Sequence, residues 1–190
     1  MRRWIVVEGL DGSGKSTVAD WIKEHYENEG DKVLVQVHPS DRLAGRIGRK
    51  ALQSRGIHMY ALSAVFYIMD VLVSLSRLKG WKEEYDDIVF VRYAMAAAYL
   101  PKRYVKLGYE VITEVLPLPE RLLLVDVAPE VAMNRMASRN DEEEMFENLK
   151  DLVKVRDKVM LISKDYQILD NNGDEADSRA RLASILAGWD

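Results

Sequence analysis

The chain has 190 residues, 48% hydrophobic and 31% charged, a size and composition that suit one domain with a sizeable core. Its net charge of −4 provides no global basic field for a nucleic-acid polymer or an anionic membrane, so any phosphate site must be local. With no cysteine there are no disulfides and no thiolate metal sites, which accords with a cytoplasmic protein.

The opening MRRWIVVEGLDG lacks the long apolar stretch and small-residue cleavage site of a signal peptide. Its apolar run into a glycine turn predicts a buried strand over residues 4–7. Gly9-Leu10-Asp11-Gly12-Ser13-Gly14-Lys15-Ser16 then fits G-x-x-x-x-G-K-[ST], and Val18, Trp21, Ile22 and Tyr26 recur at helical spacing up to Gly30. A second strand is expected over 33–37. Leu43, Ile47 and Leu52 mark a helix ending near Gly56. Residues 59–78 are the most hydrophobic segment. Asp70 at its middle would be costly in a bilayer, so a helix buried in a core or subunit interface is expected.

A third strand is predicted over 88–91, residues 102–116 are ambiguous between helix and strand, and a fourth strand is predicted over 122–127. Pro129 opens a helix carrying Val131, Arg135 and Arg139. The acidic DEEEMFE at 141–147 reads as a helix start capped by Asp141, and a fifth strand is expected over 166–169. These short runs of Val, Ile and Leu mostly do not alternate with polar residues, which suits strands buried on both faces of a parallel sheet. Five parallel strands with helices on both faces, in a single α/β domain over 1–190, are therefore expected. His25, His38 and His58 lack metal-ligand spacing and read as surface or cap residues.

The chemistry of the first loop follows from its residue types. Glycines let consecutive backbone N–H groups converge on a phosphate. Lys15 can reach the β- and γ-phosphates, the Ser16 hydroxyl can ligate Mg²⁺, and the helix from Lys15 aims its positive end at the anion. The motif lies between a predicted strand and a predicted helix. Gly9, Leu10, Asp11, Gly12, Ser13, Gly14, Lys15, Ser16 and Thr17 are thus expected to bind ATP.

Further segments extend the match. EGLDGSGKST, HPSDRLAGRIGR (38–49), FYIMDV (66–71), VRYAMAAAYLP (91–101), LPLPERLLLVDVAPEVAMNRMASR (116–139) and EEMFENLKDLVKVRDKV (143–159) follow one another collinearly. Together they resemble the thymidylate kinase family of P-loop nucleoside monophosphate kinases, in a divergent archaeal form: its E-P-T-x-x-x-x-G-x-x-x-R, F-x-A-A-D-R, D-R-Y and L-P-x-P-D segments. The loop resembles deoxynucleoside kinases more distantly. The resemblance implies the three-layer P-loop fold and transfer of the γ-phosphoryl group of ATP to dTMP or a neighbouring pyrimidine nucleotide, with Mg²⁺. It implies that Arg92 bridges the two phosphates, Arg49 grips the acceptor phosphate, and Arg139 opens a lid over 138–147. Asp11 would hold the sugar 3′-hydroxyl, Tyr67 would stack on the base, and Tyr99 would wall the sugar. A homodimer through the region of 59–78 is implied as well. Arg46 and Arg135 are further candidates, with a solvated helix face as their alternative.

Three positions depart from the family pattern. Val91 stands for the aspartate of D-R-Y, Val71 for the arginine that reads the thymine carbonyl, and Val37 for the arginine before E-P. Relaxed base selectivity and slow transfer are therefore expected. Glu8 and Asp126, at the ends of the first and fourth strands, could partly replace the lost carboxylate, with Glu8 a second candidate near the metal. Val91→Asp should then raise turnover unless the site has repacked around valine. Two alternatives stay open: a deoxynucleoside kinase using Glu8 as base, and a nucleotide-binding protein that has lost transfer.

Overall fold

The computed structural model describes residues 2–52, 57–138 and 149–189, with backbone alone at 49, 51, 52 and 57–61. Five strands, β1 (Arg3–Gly9), β2 (Val33–Val37), β3 (Asp87–Val91), β4 (Arg121–Asp126) and β5 (Gln167–Asp170), form one sheet in the order β2-β3-β1-β4-β5. Every pairing is parallel. The described helices are α1 (Lys15–Asn28), α2 (Leu43–Leu52), α3 (Ile57–Glu84), α4 (Val105–Val115), α5 (Pro129–Ala137), α6 (Leu149–Ile162) and α7 (Glu175–Ala187), with 3-10 turns at Met95–Tyr99 and Lys102–Tyr104.

Alternate residues of the central strands β1, β3 and β4 commit to opposite faces. Val6, Ile88, Phe90, Leu122 and Leu124 pack with Val71 and Leu78 of α3, Val105 of α4 and Val155, Val159 and Ile162 of α6. Ile5, Val7, Val89, Val91, Leu123 and Val125 pack with Val18, Ala19 and Ile22 of α1 and Leu182 and Leu186 of α7. Both faces of the central strands β3, β1 and β4 are covered, which is why these strands read as unbroken apolar runs. The ambiguous stretch 102–116 is mainly α4. Val105 is buried, and Tyr109 and Ile112 lean on the same cluster at helical spacing.

No helix among the described residues is long and apolar enough to cross a membrane. In α3, Asp70 and Val71 are fully buried, while Leu62, Val65, Met69, Leu72 and Val73 face outward. Helix α2 lies against α3 at Gly48, where a Cβ would come within 3.4 Å of the Phe66 Cβ.

Candidate active site

Strand β1 ends at Gly9 and α1 starts at Lys15, so the glycine-rich loop hangs from the carboxyl edge of the sheet beside the central strands. Gly12 (φ 76°) and Gly14 (φ 87°) take left-handed backbone that favours glycine. A side chain on Gly12 would collide with the backbone of Ala132 in α5. Lys15 Nζ donates to the Leu10 carbonyl at 2.7 Å and to Asp11 Oδ1 at 3.2 Å. Burial pushes the Lys15 ammonium down to about 8, overriding the support it receives from Asp11. Ser16 and Thr17 stand exposed, and together with Gly12, Gly14, Lys15 and Arg92 they line a cleft.

The loop is braced from behind. Asn171, just past β5, donates to the Ser13 carbonyl at 2.8 Å. Arg135 of α5 donates to the Asn171 carbonyl at 3.0 Å and to the Ser13 carbonyl at 3.5 Å. Arg135 thus supports the loop, whereas Arg46 is exposed on α2.

The chain reverses after β3 at Arg92, a non-glycine residue at φ 60°. Its N–H donates to the Val7 carbonyl at 3.1 Å, and its own carbonyl lies 3.0 Å from His38 Nδ1. Glu8 Oε1 accepts the next three backbone N–H groups, from Tyr93, Ala94 and Met95, at 2.8, 2.6 and 3.1 Å. Burial pushes the Glu8 carboxyl up, against these hydrogen bonds and the charge of Lys15. The Arg92 side chain reaches across the loop, Nη2 donating to Asp11 Oδ1 at 2.7 Å. Tyr99 OH donates to Asp11 Oδ2 at 3.2 Å. Asp11 therefore gathers Lys15, Arg92 and Tyr99. Burial alone would raise its carboxyl, but the charges of Lys15 and Arg92 hold it well below the ordinary range.

On α3, the Tyr67 hydroxyl donates to the Tyr93 carbonyl at 3.3 Å. Burial pushes this phenol well up, so it stays a neutral donor. Arg139, the 138–147 lid beyond Ser138, and the Arg49 side chain lie outside the described residues.

A buried polar network also engages α3. Asp70 accepts from the Ser40 N–H at 2.6 Å, the Ser40 hydroxyl at 2.5 Å and Arg42 Nε at 3.1 Å. Arg42 Nη2 donates to Ser74 Oγ, which lies 2.8 Å from His38 Nε2. His38 has no exposed surface, so the expectation of a surface or cap histidine is corrected. It reads as surface because a lone histidine without a second ligand carries no spacing signal. The available signal is its place in HPS, where the family pattern has E-P-T.

The sequence matches the family model described as thymidylate kinase over residues 7–179. The chain belongs to the thymidylate kinase family. It is 29% identical to the probable thymidylate kinase 1 of Saccharolobus solfataricus, covering 98% of this chain and 97% of that one. The probable thymidylate kinase of Archaeoglobus fulgidus is 30% identical over 80% of this chain and 78% of its own. The thymidylate kinase of Caldanaerobacter subterraneus subsp. tengcongensis is 25% identical over 86% and 83%.

Two departures from the thymidylate kinase pattern prove to be neighbours. Val91 pairs in register with Val37 on one side and Val7 on the other. Val91 is fully buried in the apolar cluster under α1, with Val37 packed at its rim. The third, Val71, is buried in the opposite cluster. The two carboxylates expected to compensate are both engaged. Glu8 Oε1 holds the turn after β3, and Asp126 takes a two-pronged grip from Arg156, at 2.8 and 2.7 Å. The repacking around valine raised above as an exception is thus the arrangement found.

Proposed function

We propose that this thymidylate kinase family protein transfers the γ-phosphoryl group of ATP to dTMP, giving dTDP. The observation that carries this reading is the meeting of Lys15, Arg92 and Tyr99 on Asp11 at the mouth of the glycine-rich loop. Phosphoryl transfer needs positive charge and in-line positioning and little covalent chemistry from the protein. Lys15 faces the donor phosphates from inside the loop, and Arg92 lines the same cleft from the turn after β3. Nucleotide phosphates compete with the Asp11 carboxylate for both cations, which releases Asp11 toward the acceptor sugar. Tyr67 supplies the stacking face for the base, Tyr99 closes the sugar pocket, Arg49 grips the acceptor phosphate and Arg139 comes from the lid.

Mg²⁺ fits this site through Ser16, whose residue is exposed on the cleft beside Lys15. This ion ordinarily takes one or two protein ligands and completes its shell with phosphates and water. When bound it would supply positive charge that offsets the charge of the phosphates. Glu8, the second candidate, is 2% exposed with Oε1 already taken, so it serves better as a structural clamp than as a ligand or as a base on a nucleoside hydroxyl. We further read the chain as a single cytoplasmic kinase domain that pairs with a second copy through the outward face of α3, and no nucleic-acid polymer or membrane is involved.

The test is a coupled assay with ATP and Mg²⁺ across nucleoside monophosphates and nucleosides. Turnover is expected with dTMP, and Lys15→Ala and Arg92→Ala should each lose at least about a hundredfold, ~2.7 kcal/mol of transition-state stabilisation. With Val71 offering no donor, dTMP should exceed dUMP by less than about a thousandfold. Phosphorylation of nucleosides alone would favour a deoxynucleoside kinase, and ATP binding without turnover would favour a nucleotide-binding protein.

A further inference from the structure

We propose that His38 is a positioning residue for phosphoryl transfer: through Nδ1–H it fixes the carbonyl of Arg92, and through Nε2 it ties that carbonyl to the acceptor helix α3. Arg92 has a backbone that no ordinary side chain prefers, at φ 60°. Such a conformation persists only where its surroundings over-determine it. Its N–H is held by the Val7 carbonyl of β1, and its carbonyl lies 3.0 Å from His38 Nδ1.

A carbonyl can only accept, so Nδ1 carries the proton. In the neutral ring Nε2 is then an acceptor, and Ser74 Oγ at 2.8 Å is its donor. Burial pushes His38 down to about 4, with the nearby Arg42 charge adding to this and Asp70 opposing it, so the ring is neutral near pH 7. The same Ser74 Oγ accepts from Arg42 Nη2, whose Nε donates to Asp70. Asp70 and Ser74 lie one turn apart on α3, three and seven residues beyond Tyr67. Tyr67 itself donates to the Tyr93 carbonyl, the residue after Arg92. Two threads therefore run from α3 to adjacent carbonyls of one strained turn. Movement of α3 around an acceptor is transmitted to the backbone that aims the Arg92 guanidinium. The proposal rests on the assignment of Arg92 to the phosphates.

The experiment compares full-length wild type with His38→Asn, His38→Gln, His38→Ala and Arg92→Ala, measuring kcat, KM for ATP and dTMP, and melting temperature. Asparagine places an N–H where imidazole Nδ1–H sits; glutamine carries its donor further out, toward Ser74. His38→Asn should keep kcat within about threefold of wild type, whereas His38→Gln and His38→Ala should lose about tenfold or more with KM for ATP nearly unchanged. A purely structural histidine would instead order the variants by melting temperature. Should His38→Ala fail to fold, the comparison of Asn with Gln decides. Equal kcat for those two overturns the inference, as does a His38→Ala protein with wild-type kcat. An active Arg92→Ala would overturn the reading of Arg92 and this inference together. An inactive Arg92→Ala beside equal Asn and Gln variants overturns this inference alone.

Discussion

Lys15 is a buried cation with a carboxylate beside it, and burial outweighs the carboxylate. Its ammonium therefore titrates near 8 in the free protein. ATP phosphates favour the charged form, so ATP affinity should fall as pH rises past about 8, by roughly tenfold per pH unit at most. Calorimetric titration between pH 7 and 9.5 reads this slope, and Lys15→Arg, which does not titrate there, should flatten it. The sign for stability is opposite. The folded protein binds fewer protons at Lys15 than the unfolded chain between about 8 and 10.5, so this residue's contribution to stability improves across that window. Lys15, Asp11, Arg92 and Tyr99 were legible in the sequence because their meaning lies in short motifs. His38 was not, because its partners Ser74 and Arg92 lie 36 and 54 positions further along, and only the fold brings them together.

At the level of elements, the carboxyl ends of β2, β3 and β1 present Val37, Val91 and Val7 side by side. A carboxylate at position 91 would point into the cluster formed with Val18, Ala19 and Ile22 of α1. Val91→Asp should therefore destabilise the protein by ~3 kcal/mol or more and gain no turnover, because the buried charge has no partner. Val37→Arg puts a cation at the register partner, where cross-strand side chains meet. The double variant Val37→Arg/Val91→Asp should recover at least ~1 kcal/mol of the loss, measured as a coupling energy by thermal unfolding of the four proteins. An additive cycle would show that the two positions do not communicate. The central strands β1, β3 and β4 were legible because each is an apolar run with covered faces, whereas in the edge strand β5 only Leu169 is buried and Ile168 is exposed. Residues 102–116 were not, since Leu107, Val111 and Val115 are exposed and blur the helical pattern that Val105, Tyr109 and Ile112 define inward.

For the whole molecule, the exposed large apolar residues of α3 are Leu62 (41% exposed), Val65 (54%), Met69 (47%), Leu72 (41%) and Val73 (38%), grouped at helical spacing in its first half among the described side chains. This is the surface we assign to a second copy. Placing a charge at its centre with Met69→Lys should weaken the dimer by about a hundredfold, ~2.7 kcal/mol, and light scattering at micromolar concentration should then report monomer. A mass unchanged from wild type would move the interface elsewhere. The division of the sheet into two apolar clusters has a consequence for dynamics. The donor loop leads into α1, which packs with α7 on one face. Tyr67 and the network around Asp70 belong to α3, which packs with α4 and α6 on the other. On the proposed site assignment, each nucleotide leans on a different half of the core. Amide exchange should resolve the halves: ATP should slow exchange chiefly in α1, and dTMP chiefly in α3. The two protection patterns should overlap at the turn through Arg92, whose N–H is held by β1 and whose carbonyl is held by His38.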